Sequence, residues 1–74
     1  MKLTRTQITT LTADEAVTLL LGRQAGGRAT FGAWAFTARN GRYTTTFNTR
    51  FVTESASPTE GVREFLSRCR KEAA

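Results

Sequence analysis

At 74 residues, with eleven basic and six acidic side chains and a net charge of +5, the chain has room for one domain, residues 1–74. A chain this short buries only about 60% of its unfolded surface and has a thin stability margin. With one cysteine, Cys69, an internal disulfide is excluded, and one cysteine without histidine argues against a structural zinc site, so oligomerisation or docking on a partner is an open way to reinforce so small a core. No apolar run approaches the ~20 residues of a membrane span, the longest being Leu19-Leu20-Leu21, and Met1–Thr6 lacks the apolar segment of a secretory signal. A cytoplasmic protein with one reduced thiol is the expectation.

In chain order, Leu3–Leu11 is rich in threonine and β-branched residues and reads as a strand over about residues 3–10. Thr12-Ala13-Asp14-Glu15 is a capping box that starts a helix, with Ala16, Val17, Leu20 and Leu21 toward the core and Gly22 as its stop. Gly22–Arg28 reads as a glycine-rich connector. It lacks the Gly-Lys-Ser/Thr ending of a phosphate loop and precedes a strand, although its amides, Arg23 and Arg28 also suit an anion or a protein.

Asn40-Gly41 stands between two aromatic-rich runs, the strongest short-range signal for a β-hairpin. A two-residue loop there sets Arg39 opposite Arg42, Ala38 opposite Tyr43, Phe36 opposite Thr45, Trp34 opposite Phe47 and Thr30 opposite Phe51. Strand alternation then gathers Trp34, Phe36, Tyr43, Phe47 and Phe51 on a core side. The other side collects Phe31, Ala33, Ala35, Thr37, Arg39, Arg42, Thr44, Thr46, Asn48 and Arg50. Ser57-Pro58-Thr59-Glu60 is a second capping box with proline in the first helical position. Val62, Phe65, Leu66 and Cys69 form one apolar stripe behind it, and Glu64 precedes Arg68 by one turn in the favourable order. The predicted order is β-α-β-β-α, an α+β two-layer sandwich with a small antiparallel sheet packed on two helices.

Without histidine the commonest general base and metal ligand is absent, and no carboxylate pair is apparent among the six acidic residues. Cys69 falls on the apolar stripe, where cysteine behaves as a small hydrophobe. The expectation is a protein that is not an enzyme and that holds no metal or cofactor. Nine of the eleven basic residues are arginine, which suits planar contacts with phosphate or carboxylate. They are dispersed, not gathered in a tail: the net charge is +2 over residues 1–28, +2 over 29–54 and +1 over 55–74.

Three surfaces are candidates for binding. The first is the threonine-rich outer face with Arg39, Arg42, Thr44, Thr46, Asn48 and Arg50. There Arg39 opposite Arg42 is unfavourable without an anion between them, and arginine, asparagine and threonine suit phosphates and base edges. The second is the Arg23–Arg28 loop, and the third is the helix surface with Arg63, Ser67, Arg68, Arg70 and Lys71. For each, the plain alternative is a solvated face or a connector.

The double-stranded RNA-binding pattern does not fit, because Pro58-Thr59-Glu60 stands where its second helix begins with lysines, and Tyr43–Phe51 lacks the glycine-rich aromatic motif of an RNA-recognition sheet. Residues 29–72 are similar in layout to the amino-terminal domains of phage integrases, which place a three-stranded sheet and a helix on DNA. In size and organisation the chain resembles small phage accessory proteins, anti-CRISPR inhibitors among them. That resemblance implies a non-catalytic inhibitor that occupies a surface of a nucleoprotein effector in the host cytoplasm. The integrase-like layout implies direct DNA binding instead. A third reading is a homodimer formed face to face through Phe31, Ala33 and Ala35.

Overall fold

A computed structural model of the chain describes residues 1–74. Two helices, α1 (Arg5–Thr10) and α2 (Ala13–Leu20), are followed by a single 3-10 turn (Arg23–Ala25). Four strands come next, β1 (Arg28–Phe31), β2 (Trp34–Arg39), β3 (Arg42–Phe47) and β4 (Arg50–Ser55), and then the helix α3 (Pro58–Ala73). The class is α+β, but the order is α-α-β-β-β-β-α, not the expected β-α-β-β-α.

The first departure is at residues 3–10, which form α1, not a strand. Thr4 and Gln7 make a full capping box, each side chain holding the other's backbone amide at 3.1 and 2.9 Å. The Thr9 and Thr10 hydroxyls bond back to the carbonyls of Arg5 and Thr6, so the threonines serve the helix instead of opposing it. A helix of 6 residues does not persist alone. This one is held by the fully buried Ile8 and by two arginines. Arg70 of α3 donates to the carbonyls of Ile8 and Leu11 at the end of α1, and Arg5 of α1 donates to Ala73 at the end of α3. Each helix thus satisfies carbonyls that the other leaves open.

In α2, Thr12 and Glu15 form the expected capping box, and the Thr12 contacts hold the Glu15 carboxyl below its ordinary pKa. Ala16 and Leu20 are buried and Val17 is half-buried. Leu21 lies beyond the helix end and is 37% exposed, so it is not a core residue.

The strands form one antiparallel meander in the order β1-β2-β3-β4. The Asn40-Gly41 hairpin has the expected register, with Trp34 opposite Phe47, Phe36 opposite Thr45 and Arg39 opposite Arg42. Both arms turn again, however, so Thr30 does not meet Phe51. Gly32, at φ 58°, leads a two-residue turn that sets Phe31 opposite Trp34 and Thr30 opposite Ala35. Asn48 and Thr49, at φ 50° and 67°, make a matching turn that sets Arg50 opposite Phe47 and Phe51 opposite Thr46. The register then slips by one residue, leaving Val52 as the extra residue of a β-bulge before Thr53 meets Thr45.

The extra turns match the sheet to its cover. Strands of about twelve residues would run about 40 Å. The 16-residue α3 spans only about 24 Å, and the four shorter strands fit beneath it.

The inner face meets α3. Phe36, Thr45 and Ala29 are fully buried, and Phe36 packs against Phe65 with ring centroids 5.7 Å apart. Val62, Phe65, Leu66 and Cys69 are all buried, as the stripe predicts. The start of α3 differs in detail from a full capping box: Ser57 accepts from the Glu60 amide, but the Ser57 amide donates to Ser55. Gly61 seats the helix on β3, because a Cβ there would stand 2.3 Å from the Cβ of Tyr43. Helices α1 and α2 pack against α3. None of the helices is long and apolar enough to cross a membrane.

Candidate binding surface

Every helix lies on the inner side of the sheet or beyond it, so the outer face is uncovered. Directly paired residues share a face, and the registers sort the outer face into rows. Thr30, Ala35, Thr46 and Phe51 form one row across all four strands. Arg28, Thr37, Thr44 and Glu54 form the next, and Arg39 with Arg42 forms a third beside the Asn40-Gly41 turn. Two shallow depressions mark this face. One is lined by Thr37, Arg39, Asn40, Arg42 and Thr44, and the other includes Arg28, Thr30, Thr46, Asn48 and Thr49.

Of the residues singled out from the sequence, Arg28, Arg39, Arg42, Thr44 and Thr46 therefore share this surface, with Asn48 at its rim. Arg50 does not. Placed opposite Phe47, it points to the Trp34 side, because the Asn48-Thr49 turn pairs it with Phe47, whereas an uninterrupted strand keeps it in line with Thr46 and Asn48. Arg23 is also elsewhere, in the 3-10 turn beside Gln7, Leu11, Asp14 and Glu15 on the helical side. Phe31, opposite Trp34, faces the core, and Ala33 lies in a turn, so the apolar patch expected for face-to-face dimerisation is not assembled.

The Glu54 carboxylate lies 3.4 Å from the Arg42 guanidinium, and Arg39 opposite it has no acidic partner. The face still carries Arg28, Arg39 and Arg42 against Glu54 alone, three positive charges minus one negative, or +2. On α3, Arg68 is bound to Glu64 at 3.1 Å and Arg70 holds the end of α1, which leaves Arg63 and Lys71 free on that surface. The Cys69 thiol is buried, and burial, aided by Glu72, pushes its pKa up to about 12. At neutral pH it is a protonated core group, not a nucleophile. No group of acidic or cysteine side chains is placed to hold a metal ion.

One outer-face residue escapes the sequence reading. Phe51, assigned there to the core, stands on the outer face with 64% of its surface exposed. The signal that finds it is Asn48: asparagine tolerates the left-handed region, and a turn at Asn48-Thr49 sends Phe51 outward by simple alternation.

Both sheet edges are protected against pairing with another chain. The Met1–Leu3 segment runs parallel along β1, with the Leu3 amide donating to the Thr30 carbonyl and the Thr30 amide to the Met1 carbonyl, each at 2.8 Å, and the bulge at Val52 breaks the ladder at β4. The chain matches no protein-family model, no curated protein and no solved structure.

Proposed function

We propose that the chain is a non-catalytic binding protein that engages a nucleoprotein assembly through its outer sheet face, in the manner expected of a small phage-type inhibitor of a CRISPR effector. The observation that carries the reading is the asymmetry of the sheet. One face is consumed by the core, while the other is four strands wide, uncovered, threonine-rich and net positive. A polar, flat, arginine-bearing face contributes nothing to the core and suits contacts with phosphate-bearing surfaces.

The test uses Arg50, which carries the same charge on the opposite side. The double variant Arg39→Glu with Arg42→Glu should lose its partner in capture from cells of the source organism, while Arg50→Glu keeps it. Capture that survives the double variant overturns the reading.

A further inference from the structure

We infer that the direct ligand of the outer face is a single strand of nucleic acid, its sugar-phosphate backbone on the arginines and a base stacked on Phe51. The inference rests on the proposed function and narrows it to one ligand class.

Phe51 supplies the first argument. Its ring does nothing for the core, yet it stands exposed at the β4 end of the Thr30–Ala35–Thr46–Phe51 row. The rest of that row is small, and Ala35 is only 7% exposed between its neighbours, so the ring projects from a low surface. An aromatic ring on an open sheet is a platform on which any unpaired base can stack. A duplex keeps its bases stacked on one another and offers the ring no free face.

Width supplies the second argument. Four strands span about 14 Å between the outermost backbones, taking ~4.8 Å per step. The major groove is about 12 Å wide and admits one helix or a two-stranded ribbon, and the minor groove is narrower still. The outer face is too broad to enter either. A single strand lies along it without entering anything.

Charge supplies the third argument. Arg28 on β1 and the Arg39/Arg42 row at the turn bound the face on two sides, with Phe51 at the far edge. A strand crossing from the turn toward Phe51 passes over Thr44 and Thr46, whose hydroxyls are hydrogen-bond partners indifferent to sequence. Glu54 is already bound to Arg42, which limits its repulsion of phosphate.

The experiment is fluorescence anisotropy with a labelled oligothymidylate of about 12 nucleotides and a duplex of the same length, at about 50 and 200 mM salt. The single strand should bind more tightly than the duplex, with affinity falling as salt rises. Phe51→Ala should weaken it roughly tenfold, the loss of one stacked base, with an unchanged salt slope, and Phe51→Tyr should restore it. Because Phe51 is exposed, its variants keep the wild-type melting profile. Arg39→Glu with Arg42→Glu should abolish binding. Equal or tighter binding of the duplex, no binding of the single strand at the lower salt, or indifference to Phe51→Ala overturns the inference. If the oligonucleotide fails while the arginine double variant still loses its cellular partner, this inference falls and the binding-protein reading stands. If oligonucleotide binding and partner capture both ignore the arginines, both fall.

Discussion

On its inner face the sheet offers Phe36, Tyr43 and Thr45 to α3; on its outer face the same strands offer Thr37, Thr44 and Thr46 to water. The two sets alternate along the same backbone and share its hydrogen bonds. They differ in what a substitution disturbs. Inner residues are fixed by the volume and polarity of one helix packed a few ångströms away. Outer residues are constrained only to be good strand formers, which threonine is, and to carry whatever the surface is for. On the proposed function, stability and binding are written on opposite sides of one element, and each can be altered without the other.

The sharpest way to break that separation is to empty the inner face. Phe36→Ala removes a fully buried ring that touches both Tyr43 and Phe65, and should cost about 3–5 kcal/mol, enough to populate the unfolded chain of so small a domain. Urea unfolding followed by circular dichroism measures it.

Alkaline pH probes the same core without a large cavity. The unfolded chain releases the Cys69 proton near its ordinary value of about 9, whereas the folded chain holds it to about 12. Between those values unfolding releases a proton, so stability should fall as pH rises, by at most about 1.4 kcal/mol per pH unit from this group. Below pH 9 the contribution is fully present. Melting curves of the wild type and Cys69→Ala should therefore diverge in slope between pH 9 and the onset of alkaline unfolding, and parallel curves would show that the thiol titrates freely.

Gly61→Ala should cost up to about 2 kcal/mol. Alanine improves helix propensity by about 1 kcal/mol, but the new Cβ meets the Cβ of Tyr43, which no rotamer change can move, and the overpacking penalty of about 1–3 kcal/mol prevails.

The smallest effects compare threonine with threonine. The Thr45 hydroxyl is buried with no hydrogen-bond partner, so Thr45→Val should stabilise the fold by about 1 kcal/mol. Thr46→Val, one residue along on the open face, should stay within about 0.5 kcal/mol. Equal responses at the two positions would deny the difference between the faces.

The legible parts of the sequence were those in which a short-range rule acts alone. Asn40-Gly41 determined the central hairpin and its register, since that dipeptide takes two successive positive φ values at little cost. The stripe Val62, Phe65, Leu66 and Cys69 determined the buried side of α3. The capping box of Thr4 and Gln7 escaped the sequence reading, because the threonine-rich composition around it favours a strand when weighed locally. What reverses that preference lies far along the chain: Arg70, which holds the end of α1, and the pocket that takes Ile8.

The candidate surface divides in the same way. Arg39, Arg42, Thr44 and Thr46 follow from the hairpin alone, because alternation counted from a known turn needs no partner. Phe51 and Arg50 exchange sides because of a turn at Asn48-Thr49, and nothing in that dipeptide demands a turn as strongly as Asn-Gly does. The tertiary structure decided it: a helix of 16 residues covers only short strands, so the chain folds back a second time on each side of the hairpin. The sequence by itself determined which residues alternate. Only the packing of α3 on the sheet decided how far each strand runs, and with it which aromatic faces the core and which faces water.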